Sequence, residues 1–341
     1  MVAWRVATAG AVSVLIALAC PVWAQQPPPQ PQSKEAPPQE APPPRSALEQ
    51  ILIERGGLLL RPGQLEVEPA VEYGFFSTRR INVSGFSILP TLIIGVLETE
   101  KVERNILDGV LTLRLGVFRD FQAEARIRYG YIWDELTTET SQVTRTNSGI
   151  GDVEGAVSYQ LFRERGLIPD TILSVRGRFP TGDDGFGGDP NTPALGTGFY
   201  GVQGSVTVVK AVDPAALFAT VLYSHNFSRS VRLQPGNQFD TEISPGAAFG
   251  YQLGIGIGLT PELALNLRFE QRILFDTETK VPGSPQRTVN GSGLNVASMF
   301  LGVYWSLSRY VSIDASVGLG LTEDSPDFTV RLAVPIRFNL W

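Results

Sequence analysis

The chain is nearly empty of the residues that usually carry chemistry: in 341 positions there is one cysteine, Cys20, and one histidine, His225. One cysteine excludes an internal disulfide framework and a cysteine metal centre; one histidine excludes a His-pair metal site and leaves only His225 for any Ser-His catalysis. No stretch reaches the roughly 18 consecutive apolar residues that a transmembrane helix needs. The longest candidate, residues 88–97, is interrupted by Pro90 and Gly95. A P-loop, a cysteine cluster and basic-aromatic patches are all missing, and acidic residues outnumber basic ones, 34 to 28, so no nucleic acid is expected as a partner. No cofactor is expected either.

What is present begins with a leader. Residues 1–24 carry Arg5, an apolar run to Ala19, Pro21 and then Val22-Trp23-Ala24, which reads as a signal peptide cut after Ala24. Ala17-Leu18-Ala19-Cys20 offers a competing lipobox reading, weakened by Ala17 where leucine is usual and by the Pro21 that follows. Cleavage after Ala24 removes Arg5 from the 28 basic residues, so 27 remain against 34 acids, net −7. Residues 25–45, mostly "QQPPPQPQSKEAPPQEAPPP", cannot bury a core and favour extended polyproline II. They form a tether, which either has no partner or docks a periplasmic or secreted one.

Residues 46–63 hold the one helical pattern. Ser46 and Glu49 fit a capping box, Leu48, Ile51 and Leu52 make an apolar stripe, and Gly56-Gly57 stops it. Such a helix either plugs a lumen or packs at a periplasmic rim.

From Gln64 onward the period changes to two. "FQAEARIRYGYIW", residues 121–133, is apolar at every odd position and mostly polar or small at the even ones. A soluble sheet buries the apolar face; a membrane barrel turns it to lipid and keeps the polar face inside. Twelve segments share the pattern: 64–77, 102–117, 121–133, 152–162, 171–179, 199–209, 215–227, 246–259, 263–275, 294–307, 311–320 and 328–338. Most are about long enough to cross a bilayer at a tilt of about 45°. Their connections alternate between short (119–120, 163–170, 210–214, 260–262, 308–310) and long (78–101, 134–151, 180–198, 228–245, 276–293). Short periplasmic turns and long external loops are the signature of outer-membrane barrels.

The expected fold is therefore all-β, a 12-stranded antiparallel outer-membrane β-barrel over residues 64–341 with a short N-terminal helix and an N-terminal arm in the periplasm. Outer-membrane lipid, the barrel-assembly machinery and a small organic solute are its expected partners; the pattern sets no oligomeric state. Aromatics sit near strand ends as interfacial girdles, with Phe75, Trp133, Phe227 and Phe275 toward the long loops and Phe121, Phe162, Trp305 and Phe338 toward the short turns. Residues 81–97 read as an external lid, a strand extension or an extra hairpin.

The inward positions are charged. Glu66, Glu68, Glu72, Asp108, Glu124, Asp152, Glu154, Glu270 and Asp314 are set against Arg104, Arg114, Arg126, Arg128, Arg176, Arg178, Arg268, Arg272, Arg331 and Arg337. These are the candidate lumen residues. Enclosed carboxylates and guanidiniums must pair or stay wet, so ladders across neighbouring strands are expected.

Three smaller motifs remain. "GIGIG", residues 254–258, opens no helix and so is not a dinucleotide fingerprint; it reads as a stretch of wall without inward side chains, leaving room inside. "GDDGFGGDP" places Asp183, Asp184 and Asp189 in a Gly-rich loop, a candidate Ca²⁺ site by its oxygens but without EF-hand spacing, against a plain external loop. His225 in "YSHNFS" ends a strand, and its sequence neighbours point to the opposite face, which favours an interfacial polar residue over catalysis.

Several stretches resemble the MetA-pathway phenol degradation family of outer-membrane proteins: "ILIERGGLLLRPGQLEVEP" (51–69), "INVSGFSILPTLIIG" (81–95), "GIGDVEGAVSYQL" (149–161), "RFPTGDD" (178–184), "GTGFYGVQ" (196–203), "DPAALFATVLYSHNF" (213–227) and "VGLGLTEDSPDFTVRLAVPIRF" (317–338). The resemblance implies an outer-membrane barrel that moves organic compounds, aromatic ones among them. The function expected is a passive channel or transporter for small organic solutes. An envelope docking protein acting through the tether is the alternative, and an outer-membrane hydrolase resting on His225 a third. Barrels of this kind commonly stop on a terminal Phe; here Phe338 is followed by Asn339-Leu340-Trp341, which leaves two candidates for the assembly signal.

Overall fold

The computed structural model describes residues 46–54, 56–83, 97–137, 142–186, 192–232 and 240–340. The leader, the tether, Asp189 and most of 81–97 lie outside them. Twelve antiparallel strands form the wall. They are β1 (Gln64–Val83), β2 (Leu97–Phe118), β3 (Phe121–Thr137), β4 (Gln142–Ile150 and Val153–Phe162), β5 (Asp170–Phe179), β6 (Gly201–Val212), β7 (Ala215–Asn226), β8 (Ala248–Gly258), β9 (Leu263–Leu274), β10 (Leu294–Ser306), β11 (Ser312–Gly320) and β12 (Phe328–Ala333 and Ile336–Asn339). Each pairs with its neighbour in sequence, and β12 pairs with β1, with Ala333 opposite Ala70 and Arg337 opposite Glu66, so the sheet closes into a barrel.

Two strands are interrupted for local reasons. In β12 the break falls at Pro335, which has no N–H for the ladder; the Val334 N–H instead donates to the Pro69 carbonyl at 2.9 Å. In β4 it falls at Gly151-Asp152. The guanidinium of Arg128 crosses there, and a Cβ on Gly151 would stand 2.7 Å from its Nε. Above the break β4 pairs only with β3; below it, with both β3 and β5.

The odd face of β3 points outward: Ile127, Tyr129 and Tyr131 are each more than 40% exposed. Its even face holds Gln122 at 4% and the ion pairs of Glu124, Arg126 and Arg128. The same alternation runs round the wall, with Leu113, Val157, Val175, Val221, Leu301 and Val317 outside.

The long connections are more structured than their composition predicts. β1 and β2 stay paired as far as Val83 and Leu97, so 78–83 and 97–101 of the loop expected over 78–101 are strand. Likewise, residues 142–150 of the loop expected over 134–151 form the upper half of β4. The loops over 228–245 and 276–293 contribute Arg229–Val231, Thr241–Ser244, Glu278–Lys280 and Arg287–Thr288 to a separate four-stranded sheet. Phe199, Val231 and Ile243 bury together there with Phe186 and Val289 packed on them, which ties loop 180–200 to that sheet.

At the short-turn end the chain enters the barrel. The helix α1 (Ala47–Glu54) begins with the Ala47 N–H donating to the Pro261 carbonyl in the β8–β9 turn, and Ser46 Oγ accepts from the Glu49 N–H as N-cap. Gly56, at φ 69°, ends it. Ala47 and Ile51 bury against Ala264 of β9 and Tyr304 of β10, while Leu52 packs on Val209, Ala216 and Phe218 of β6 and β7. Gly256 supplies the close approach: a Cβ there would lie 2.9 Å from Leu48 Cδ1. The room that "GIGIG" leaves is therefore filled, by Leu48 at Gly256 and by Phe218 at Gly254.

Candidate functional site: a charged lumen

The lumen chemistry follows from register. Along one row of neighbours stand Arg337, Glu66, Arg114 and Glu124, alternating in charge on β12, β1, β2 and β3; Ala156 and Arg176 continue the row on β4 and β5. Residues opposite each other on neighbouring strands are close enough for ion pairs. Arg337 Nη2 reaches Glu66 at 2.6 Å, and Arg114 binds Glu66 at 2.7 Å, Glu68 at 2.5 Å and Glu124 at 3.2 Å. Ala156 is too small to pair, so Arg176 reaches over it to Glu124 at 2.7 Å and also takes Glu154 at 3.0 Å.

The next row carries Glu68, Thr112, Arg126, Glu154, Arg178, Gly201 and Asn226 on β1 to β7. Its pairs are looser: Arg126 stands 3.6 Å from Glu72 and Arg178 3.7 Å from Glu154. Arg331 of β12 closes the network, bonding Glu68, Glu72 at 3.1 Å and Asp314 at 2.8 Å. Six arginines (114, 126, 176, 178, 331, 337) and six carboxylates (66, 68, 72, 124, 154, 314) are thereby joined into one continuous, formally neutral network. Glu66 and Glu68 are 0% and 1% exposed, so their charge rests on these partners alone.

The opposite wall is quieter. Gln203, Ser205, Thr207, Thr220, Ser224 and Gln252 face a cavity of about 640 Å³, with Arg268, Glu270 and Arg272 above the glycines of β8. Arg268 stacks its guanidinium over Phe300, 4.3 Å from the ring centroid. Ile53 and Gly56, at and just beyond the end of α1, also line the cavity.

Of the nineteen candidate residues, thirteen line this cavity: Glu68, Glu72, Asp108, Arg114, Glu124, Arg126, Glu154, Arg176, Arg178, Arg268, Glu270, Arg272 and Arg331. The other six stand elsewhere. Glu66, Asp314 and Arg337 anchor the network away from the cavity lining. Arg104 pairs with Asp134 at 2.5 Å near the loop end. Arg128 pairs with Asp108 at 3.3 Å and donates from Nη2 to the Leu195 carbonyl at 2.5 Å. Asp152 accepts from the Thr197 N–H and hydroxyl at 2.8 and 2.7 Å.

Those last two contacts fasten loop 180–200 against the barrel wall. Leu195, 3% exposed, sits where Gly130 and Gly149 carry no side chain: a Cβ at either would lie 3.3 or 3.1 Å from its methyls. Sequence reasoning missed Leu195, because a lone leucine in a Gly-rich loop carries no pattern. The neutral half of the lining was legible as hydroxyl and amide residues at alternate positions, odd-numbered on β6 and even-numbered on β7.

The candidate calcium ligands are engaged otherwise. Asp184 pairs with Arg229 at 2.5 Å, and Asp183 accepts from the Gly185 N–H and the Asn147 amide. Asp189 lies outside the described residues, and among those described no three His, Cys, Asp or Glu side chains are grouped to hold a metal. His225 is exposed on the outward face of β7, edge-on to Phe227 at 5.4 Å.

Residues 102–338 match the family described as "Putative MetA-pathway of phenol degradation". The chain belongs to that family. In fold it is similar to the COG4313 outer membrane channel from Pseudomonas putida F1, at 14% identity and a TM-score of 0.59 over 82% of this chain and 97% of that one. The transport unit of the autotransporter AIDA-I from Escherichia coli also aligns, at 11% identity and a TM-score of 0.47 over 86% and 96%. The family member described here is an outer-membrane barrel.

Proposed function

We propose that the chain is a passive outer-membrane channel for small organic solutes, held shut at its periplasmic end by α1. The observation that carries this reading is the cavity of about 640 Å³ enclosed by the barrel, polar round its wall and bounded by Ile53 and Gly56 of the N-terminal arm. A barrel of about eight strands is filled by its own side chains and one of 16 or more leaves an open pore; twelve strands leave a lumen that one short helix can stop. The family description and the channel fold of the Pseudomonas putida neighbour support the same reading.

The seat of α1 sets the resting state. Ile51, Leu52 and Ile53 are buried at 2%, 8% and 1% exposure. Three such side chains, at about 1.5–3 kcal/mol each, favour the closed form. Passage requires the helix to shift from Gly256, Ala264 and Phe218. His225 we assign to the lipid interface, beside Phe227, rather than to catalysis.

The test is flux. Proteoliposomes carrying the refolded protein are expected to admit small organic solutes such as benzamide faster than protein-free liposomes, and faster again when residues 25–60 are deleted. Flux equal to that of protein-free liposomes in both forms would end the channel reading.

A further inference from the structure

The lumen network is uneven, and its unevenness marks a ligand site. Arg114 spends its guanidinium on three carboxylates between 2.5 and 3.2 Å, and Arg331 likewise bonds three. Arg126 and Arg178 are held differently. Among the described residues each has one long ion pair, 3.6 and 3.7 Å, to a carboxylate that is bonded more closely by another arginine: Glu72 by Arg331 at 3.1 Å, Glu154 by Arg176 at 3.0 Å. Their side chains are 38% and 28% exposed, where that of Arg114 is 9%.

Register puts these two side by side. Arg126 is opposite Glu154 and Glu154 is opposite Arg178, on β3, β4 and β5, so the two arginines flank one glutamate about 10 Å apart at the backbone. Beyond Arg178 the row carries no side chain at Gly201, where the Asn226 amide oxygen closes in: a Cβ there would stand 3.0 Å from it and 3.7 Å from the Arg178 Cβ. Arg272 of β9 lines the same cavity and forms no ion pair among the described residues. Counted over the lining, seven arginines (114, 126, 176, 178, 268, 272, 331) meet six carboxylates (68, 72, 108, 124, 154, 270). The enclosed part of the network is saturated, so the surplus donors belong to Arg126, Arg178 and Arg272.

We propose that Arg126 and Arg178 form a subsite for a small organic monoanion, a carboxylate or phenolate, with Arg272 on the facing wall. Guanidinium N–H groups that lack a close carboxylate are the natural partners of an incoming one, since a planar fork matches a carboxylate's two oxygens. The cavity has ample room for a benzoate-sized body. The proposal deepens the channel reading by naming the class of solute, and rests on it only for the claim that the bound anion moves through.

Two measurements separate the parts. Calorimetric titration of the refolded full chain in neutral detergent with benzoate and with benzamide, its neutral isostere, reads binding alone. Benzoate is expected to bind about tenfold more tightly than benzamide, one charge-assisted hydrogen bond's worth of preference. That preference should vanish in the Arg126→Gln, Arg178→Gln double variant and persist in Arg309→Gln, a change in the β10–β11 turn. Equal affinity for the two probes, no binding of either, or a preference unchanged in the double variant would overturn the subsite. Liposome flux of the same probes reads passage: binding without flux keeps the subsite and removes the channel.

Discussion

Arg176 Nη2 meets Glu124 Oε1 at 2.7 Å although the two stand two strands apart, because the residue between them on β4 is Ala156. A small residue in the lumen row is thus a bridge site, and its size can be tested. Ala156→Leu inserts an isobutyl group between the two charges and is expected to destabilise the barrel by about 1–3 kcal/mol. Ala156→Ser should leave it nearly unchanged. The urea midpoint of the refolded protein, followed by tryptophan fluorescence, distinguishes the two variants.

Arg114 is the centre of the enclosed network. Replacing it with leucine leaves Glu66 and Glu68, both nearly inaccessible, without their shared cation. Removal of one partner from a buried pair costs about 3–5 kcal/mol. Arg309→Leu, over Tyr310 in a periplasmic turn, should cost far less in the same unfolding assay.

Gly256 admits Leu48 because it has no side chain. Gly256→Leu fills that place from the wall and is expected to unseat α1 while the strand pairing of β8 with β7 and β9 survives. The variant should give more solute flux than the parent protein in proteoliposomes; unchanged flux would mean that α1 is not held at this point.

Loop 180–200 is latched by Leu195 between Gly130 and Gly149 and by Arg128 and Asp152. Leu195→Gly together with Arg128→Gln should free it. Limited chymotrypsin digestion is expected to cut at Phe186, now packed beside Phe199, at least several times faster than in the parent.

One pH effect lies outside the membrane. In the β4–β5 turn the Lys210 ammonium, donating to the Glu164 carboxylate, and then the Ala211 N–H hold that carboxyl below its ordinary value of 4.5. A carboxyl depressed by folding contributes stability above its unfolded value, and that contribution is lost as pH falls through the lower, folded one. Chemical shifts of the turn should follow a titration with its midpoint below 4.5, and Glu164→Gln should abolish that transition.

The wall was legible because period-two alternation, loop lengths and girdle aromatics agree over twelve segments. "FQAEARIRYGYIW" alone fits a soluble sheet as well; in company its odd face turns to lipid, and Ile127 and Tyr129 lie exposed as that requires. The small external sheet was not legible, since runs such as Arg229–Val231 are too short to show a period. Charge at alternate positions found the inward arginines and carboxylates. What it could not supply was register: that Arg126 and Arg178 flank Glu154, or that Ala156 opens a path for Arg176, depends on strand stagger set by the turns. Asp134 went unnoticed as the partner of Arg104 because the pattern placed it in a loop, where β3 in fact continues to Thr137.

In the proposed channel α1 closes a lumen that would otherwise conduct. Single-channel recording of the refolded full chain in planar bilayers, beside the same protein lacking residues 25–60, tests it most directly. A mostly closed full chain with brief openings, and a steadily open deletion variant, is the predicted result; identical conductance in the two forms would contradict it.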